Sequence, residues 1–243
     1  MNFHFQPLEQ FNIVTIFYLK SIPFTNLTVY NIIVILFFCF FFWLVSRDMR
    51  VVPRAWQIIG ESYYKFLLNL TKQQMGWIGR RFFPLTFTLF TFILTSNLMG
   101  MTLYGFTTTS HIAVTFCLSF SLFLGIIILG FQRQGLHFFH LFVPAGAPKP
   151  MLPFLVIIEV ISFVSRPFSL GIRLFANMMS GHTLLVILSG FTLTILQLQV
   201  VLGFLPITLI TCIIGLELFI AALQAYVFTV LVCIYMKESV YGH

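Results

Sequence analysis

Apolar residues run along most of this chain in stretches long enough to cross a membrane as helices. A transmembrane helix needs about 20 largely apolar residues. The first such stretch covers residues 27–45 and ends at a charged segment. Two more, residues 82–106 and 112–131, are joined by the polar sequence TTTSH at 107–111. The pattern therefore predicts an amino-terminal span followed by a two-helix hairpin.

Two longer apolar runs make up the carboxyl-terminal part of the chain, at residues 151–199 and 200–236. A helix of about 48 residues would be about 72 Å long at 1.5 Å per residue, more than twice the ~30 Å thickness of the hydrocarbon core. We therefore expect these helices to be steeply tilted, bent or broken, with Pro167 as the expected kink.

Residues 55–76 have a different pattern, because apolar side chains recur every three or four positions with polar ones between them. This spacing predicts an amphipathic helix that lies on the membrane surface. A helix packed against a soluble partner remains an alternative. The chain then divides into an amino-terminal segment, residues 1–80, and a four-helix domain, residues 81–243.

Composition supports an all-α integral membrane protein. Of the 243 residues 59% are hydrophobic and only 8% are charged, against about 25% charged in soluble domains. The net charge of +7 does not indicate a nucleic-acid binder, because the 13 basic residues lie mainly in short connecting stretches. The four cysteines are isolated in apolar runs and have no metal-ligand spacing.

Basic residues also predict the orientation in the membrane. Stretches 47–81 and 133–149 are basic, whereas the other connections are nearly neutral. Alternating spans place both basic stretches on the same side, which the positive-inside rule assigns to the interior. We therefore expect the amino terminus outside and the carboxyl terminus inside.

The first long helix contains ionisable residues that are expensive inside a membrane. Glu159, Arg166 and Arg173 are spaced seven apart, and His182 follows. Each charge costs about 2.5–3.5 kcal/mol at the centre of a span, which normally indicates function. Seven residues return a helix to nearly the same face, so the first three form one polar stripe. We expect Arg173 to be buried in the middle of this helix and His182 to face a different neighbour.

The last helix contains a second polar stripe, formed by Glu217, Gln224 and Glu238. With the predicted topology, His182 and Glu217 lie in the outer half of the membrane, Glu159 and Glu238 lie near the inner face, and Arg173 lies between the pairs. Histidine and glutamate can pass protons, whereas a guanidinium does not release its proton. The arrangement is typical of two proton half-channels separated by a fixed positive charge.

The motifs in these helices closely resemble those of subunit a of the F-type ATP synthase. The strongest matches are SLGIRLFANMMSGHTLL at 169–185 and GLELFIAALQAYVFTVL at 215–231. They are supported by NLMGM at 97–101, by the loop FFHLFVPAGAPKP and by the ending YMKESVYGH. The resemblance covers the chain from about residue 80 to its end.

The resemblance implies a role for each residue. Arg173 would face the carboxylates of a rotating ring of subunit c, with Asn177 and Gln224 as polar neighbours. His182 and Glu217 would serve the outer half-channel, and Glu159 with Glu238 the inner one.

The resemblance further implies that the two long tilted helices face this ring, with subunit b of the peripheral stalk and other membrane-sector subunits as partners besides lipids. No cofactor is implied, and the chain would not be an enzyme by itself. The order of histidine and glutamate resembles mitochondrial members and hence implies a multi-pass protein of the mitochondrial inner membrane.

Less specific interpretations stay open for several residues. Arg173 could form a structural ion pair with Glu159 or Glu217. Arg166 lies nearer the inner face, and we expect its side chain to reach the lipid headgroups. His111 could line the outer entrance, and Asn97 could serve either structure or the channel. The spacing of His137 and His140 is compatible with a metal ligand pair, but no further ligand completes a site.

Two other classes of function remain possible for buried membrane charges, a secondary transporter and a subunit of a redox-driven proton pump. The chain lacks two matching halves, which disfavours the transporter. It also lacks histidine pairs across spans that could ligate haem, which disfavours the redox pump. A ring-forming proteolipid with one mid-membrane carboxylate in the same complex would decide for the ATP synthase.

Overall fold

The computed structural model is almost entirely helical. It describes residues 11–19, 22–47, 52–102, 106–135, 138, 151–198 and 200–241. The helices are α1 (Asn26–Arg47), α2 (Ala55–Met75), α3 (Gly79–Gly100), α4 (Ile112–Gln134), α5 (Leu152–Leu198) and α6 (Val200–Tyr241). Short 3₁₀ turns, Gly76–Ile78 and Thr108–Ser110, lie before α3 and before α4.

Five helical segments in the described part of the chain are long and apolar enough to cross a membrane: Asn26–Arg47, Ala55–Gly100, Ile112–Gln134, Leu152–Gln197 and Gly203–Tyr241. The prediction of an all-α membrane protein is confirmed. Helix α5 continues through Pro167 without a break. A break there is therefore excluded, and at about 70 Å the helix must be tilted or curved to stay within a membrane.

One element was not predicted, a short antiparallel hairpin of β1 (Thr15–Leu19) and β2 (Ile22–Thr25). Both strands are rich in β-branched and aromatic residues, which favour extended backbone. The Asn26 side chain holds the hairpin to the start of α1, because its Oδ1 accepts from the Val14 N–H at 3.3 Å and its amide donates to the Asn12 carbonyl at 3.2 Å.

The amphipathic helix at 55–76 is present as α2, and its apolar side packs within this chain. Leu67, Leu70 and Met75 are buried, and Tyr63 packs edge-on against Phe87 of α3 at 5.8 Å between ring centroids. The alternative of a soluble partner is not needed for this apolar side. Its location at the membrane surface stays a prediction.

The predicted second span, residues 82–106, ends earlier in the structure, because α3 stops at Gly100. The following TTTS sequence is buried and forms a turn. Thr109 donates its hydroxyl proton to Asn97 Oδ1 at 3.0 Å, so these polar residues belong to the packed interior rather than to an exposed loop. Helix α4 extends through Gln134 into the segment predicted as a loop, residues 132–150. Beyond it only Gly135 and Phe138 of that segment are described, and His137 and His140 lie outside the described residues.

Helices α3 to α6 form a bundle in which sequential neighbours run antiparallel. Phe116 and Phe123 of α4 contact Phe168 and Phe163 of α5, respectively, with ring centroids 5.0 and 4.9 Å apart. In α3, Asn97 donates to the Ala221 carbonyl of α6 at 3.3 Å. The start of α3, the end of α4, the start of α5 and the end of α6 therefore meet at one end, the basic end, which carries Arg80, Arg81 and Arg133. The TTTSH turn marks the opposite end.

Candidate functional site

Helices α5 and α6 form an antiparallel hairpin, and polar pairs cross their interface at three levels. Arg166 pairs with Glu238 near the basic end. Asn177 donates from its side-chain amide to Gln224 Oε1 at 2.9 Å. Nearer the opposite end, His182 lies beside Glu217. Of the first polar stripe predicted from the sequence, Arg166 meets Glu238 of the second stripe. Gln224 and Glu217 of the second stripe lie instead beside Asn177 and His182, which are outside the first stripe.

The pair nearest the TTTSH end is buried but not hydrogen-bonded. His182 Nε2 and Glu217 Oε1 are 3.8 Å apart, which is too long for a hydrogen bond. Glu217 is only 3% exposed. Neither of its carboxylate oxygens nor His182 Nε2 has a hydrogen-bond partner within the described ranges. Buried ionisable groups without partners are costly and normally mark function.

Gly181 has no side chain and so leaves space for the Glu217 carboxylate. A Cβ atom at position 181 would stand 2.6 Å from Glu217 Oε1 and 2.9 Å from its Cδ, closer than van der Waals contact permits. The carboxylate therefore packs directly on the backbone of α5, beside the His182 ring. Any larger residue at position 181 would push the carboxylate away.

The middle pair is a neutral amide bridge. Gln224 is buried, and its bond to Asn177 joins α5 to α6 beside Met178 and about one helical turn from Ala221, which are both fully buried. On the other side of α6, Asn97 is fully buried and satisfied by Ala221 and Thr109. Asn97 therefore has a structural role in this arrangement, since it holds α3, α6 and the TTTS turn together.

His111 lies at the opposite end of the bundle from the basic residues. Its carbonyl accepts the first hydrogen bonds of α4, and its ring stacks on Phe106 with centroids 5.0 Å apart. Burial lowers the pKa of the His111 imidazole from its ordinary value of 6.5, so the ring is neutral at neutral pH. Its Nε2 has no hydrogen-bond partner in the described part of the chain.

At the basic end Arg166 lies between two carboxylates. It forms an ion pair with Glu238 and a longer one with Glu159 at 3.9 Å, and its guanidinium stacks on the Tyr235 ring at 4.7 Å from the centroid. The expectation that Arg166 reaches the lipid headgroups is therefore wrong. Two acidic residues on adjacent helices hold it in place.

Arg173 lies outside this interface. The face of α5 that carries it, with Ile172, Ala176 and Ser180, is exposed at the surface of the chain, so Arg173 is not buried as we expected. No carboxylate in the described ranges lies within 4.0 Å of it. The alternative of an ion pair with Glu159 or Glu217 finds no support, since Glu159 contacts Arg166 and Glu217 lies beside His182.

Along α5, Arg173 lies about 10 Å from the level of Arg166 and about 14 Å from that of His182, at 1.5 Å per residue. Between these levels the α5–α6 interface contains the neutral Asn177–Gln224 bridge and the almost fully buried Leu174, Phe228 and Val232. These uncharged residues separate the two groups of ionisable residues, and the Arg173 guanidinium lies exposed beside them.

Two contributors to this site were not predicted from the sequence. Gly181 supports Glu217, and the only sequence signal is a glycine directly before His182. The Tyr235 ring stacks on Arg166. This contact could be predicted only from the pairing of α5 with α6, which the sequence does not show.

Comparisons with known proteins show the family to which this chain is similar. The family model described as ATP synthase A chain matches residues 28–237. ATP synthase subunit a of Brassica napus is 45% identical over 98% of this chain and 96% of its own length. The subunit a proteins of Acanthamoeba castellanii and Ehrlichia chaffeensis are 46% and 40% identical, over 96% and 98% of this chain and 97% and 98% of their own lengths.

Proposed function

This chain belongs to the ATP synthase subunit a family, the proton-translocating subunits of the membrane sector, and we propose how its residues conduct protons. Two offset half-channels, one from each side of the membrane, lead to the carboxylates of a rotating ring of subunit c. The chain is the stator beside that ring. It catalyses no reaction itself, and the flow of protons along it turns the ring and drives ATP synthesis.

The observation that carries this proposal is the exposure of Arg173 on a face whose other residues, Ile172, Ala176 and Ser180, are uncharged. A guanidinium keeps its proton and is costly to expose to lipid, so it needs a carboxylate or water opposite it. Since the described carboxylates of this chain are engaged elsewhere or distant, a carboxylate of another subunit is the fitting partner. Arg173 would hold the facing ring carboxylate in its ionised form and block direct passage between the half-channels.

In the outer half-channel, Glu217 and His182 take up protons and pass them toward the ring. They are 3.8 Å apart, and a small movement or one bridging water brings them within reach of proton transfer. Asn177 and Gln224 form a polar bridge on the way to Arg173. His111, with its unbonded ring nitrogen, would line the entrance. Asn97 would support this path by fixing α3 against α6.

In the inner half-channel, Glu159 and Glu238 release protons from the ring to the interior. Both contact Arg166. Both are also partly exposed at the basic end, so they can exchange protons with water there. A proton that crosses the membrane down the potential releases about 2.3 kcal/mol per 100 mV. This energy would drive the rotation of the ring.

The partners and the location follow from the same proposal. The chain would contact the ring of subunit c through the Arg173 face, and subunit b of the peripheral stalk and other membrane-sector subunits elsewhere. The sequence order of His182 and Glu217 resembles mitochondrial members, so we place the protein in the mitochondrial inner membrane.

Gly181 provides a direct test of proton conduction. We expect Gly181→Ala to lower the passive proton conductance of the membrane sector by roughly tenfold or more, because the added Cβ displaces the Glu217 carboxylate from His182 and proton transfer depends on that reach. The displaced atoms end a flexible side chain, so the fold should survive. The measurement is dye-detected proton flux into vesicles that contain the whole membrane sector, under a potassium diffusion potential.

Gly215→Ala is the matched control for this experiment. It adds the same methyl group to α6 two residues before Glu217, where a Cβ meets nothing within 4 Å. We expect its conductance to equal that of the unaltered protein. Equal conductance of the Gly181→Ala and Gly215→Ala proteins would count against a role for Glu217 in the outer path.

A further inference from the structure

An open cleft lies at the turn between α2 and α3, away from the α5–α6 interface. It has a volume of about 470 Å³ and is lined by Lys72, Gly76, Trp77 and Arg80. None of these residues takes part in the proposed proton path. The proposed proton path therefore does not account for this cleft.

The shape of this cleft is fixed by its surroundings. Gly76 has a left-handed backbone with φ of 64°, which turns the chain sharply, and its missing side chain leaves the floor open. Next to it, the Thr71 carbonyl packs so closely on Gly79 that a Cβ there would lie 2.8 Å away. Met75 is buried beneath the turn. The two cationic side chains are thus presented by a preformed turn.

The charge of the cleft is positive and unbalanced. Lys72 and Arg80 line it, and Arg81 follows directly. Among the described residues none of these three forms an ion pair with a carboxylate, and the acidic residue of α2, Glu61, is paired with Lys65 at 3.7 Å. Two cations beside one open cleft attract an anion, and a phosphate can accept hydrogen bonds from both.

Trp77 indicates where this anion comes from. Its side chain is 75% exposed at the basic end of the bundle, and indole rings that are exposed in membrane proteins prefer the headgroup level. A cleft with two cations and an indole at that level matches a lipid headgroup, with the phosphate on the cations and the glycerol region beside the ring.

We propose that the cleft of Lys72, Gly76, Trp77 and Arg80 binds the phosphodiester headgroup of an anionic phospholipid. The site would fasten the α2–α3 turn to the inner leaflet, to which the basic stretches are assigned. It does not depend on the proposed proton path, and its test has a readout other than proton flux.

The experiment measures lipid contact at this turn in the assembled complex. The membrane sector is placed in phosphatidylcholine nanodiscs that contain a small fraction of either photoactivatable phosphatidylglycerol or photoactivatable phosphatidylcholine. After illumination, mass spectrometry counts the label on residues 71–82. We expect the anionic probe to label this segment far more than the zwitterionic one.

In the double variant Lys72→Gln with Arg80→Gln, the ratio of anionic to zwitterionic labelling should fall about 25-fold, since each basic residue near an anionic surface contributes about fivefold. Arg133→Gln, which removes a basic residue at the same end but outside the cleft, should leave this ratio unchanged.

Equal labelling by both probes in the unaltered protein would overturn the proposal. So would a preference that survives in the double variant, or one that inorganic phosphate abolishes by competition, since that would indicate a site for a free anion. Unchanged complex assembly in the double variant ensures that a loss reports binding.

Discussion

Replacing Arg173 with glutamine should abolish ATP synthesis driven by a proton gradient while the chain still inserts and assembles. The fold should tolerate the change because Arg173 is exposed and forms no ion pair with the described carboxylates, so no buried charge loses its partner. Function should not tolerate it, because the neutral amide cannot hold a ring carboxylate ionised or repel a passing proton. The measurement is the initial rate of ATP synthesis in energised vesicles, with the amount of assembled complex determined in parallel.

Ser180→Ala is the matched control for this change. Ser180 lies on the same exposed face of α5, two helical turns from Arg173, and its hydroxyl donates to the Asn177 carbonyl of its own helix. We expect near-normal synthesis from the Ser180→Ala protein. Normal coupled synthesis in the Arg173→Gln protein would show that this guanidinium is not the separator.

The second large effect concerns Glu217. We expect Glu217→Gln to slow proton entry from the outer side by about a hundredfold, which is the lower range for removing a positioned proton-transfer group, with a much smaller effect on release inside. Glutamine matches the size of the buried side chain and removes an uncompensated ionisable group, so insertion and assembly should remain intact.

The assay varies the outer pH at a fixed inner pH and a fixed membrane potential, and then varies the inner pH at a fixed outer pH. The synthesis rate of the variant should lose its normal dependence on the outer pH and keep its dependence on the inner pH. Glu61→Gln, which makes the same chemical change at an exposed position of α2, should behave like the unaltered protein. An equal effect on both dependences would place Glu217 outside the outer path.

The sequence predicted the helices of this protein well, because the bilayer imposes length and apolarity on each span. The first span, the amphipathic helix and the two long helices lie within a few residues of their predicted bounds. The hairpin of β1 and β2 was not predicted, since its short apolar strands are indistinguishable from the start of a membrane helix by hydropathy. The early end of α3 was missed because the sequence of residues 101–106, MTLYGF, is largely apolar and extends the hydropathy of the span past Gly100.

The sequence led us to expect His182 and Glu217 at one level and Glu159 and Glu238 at another, but not the contacts made by Arg166. Residue spacing along one helix cannot say where a second helix places its residues, so the pairing of Arg166 with Glu238 was missed and a lipid contact was expected instead. The same spacing placed Glu159, Arg166 and Arg173 on one stripe. A heptad drifts by only about 20° on a straight helix, so spacing alone could not show that Arg166 is paired with α6 while Arg173 is exposed.

The exposed face of α5 that carries Arg173 makes the proposal testable by a single contact. A cysteine introduced at Ala176, exposed one turn from Arg173, should form a disulfide in high yield with a cysteine placed beside the mid-membrane carboxylate of the ring helix, in a complex whose exposed native cysteines, Cys39, Cys117 and Cys212, have been replaced. A cysteine at Leu124, exposed on α4, should not. Cross-linking from Leu124 without any from Ala176 would contradict the assignment of the Arg173 face to the ring.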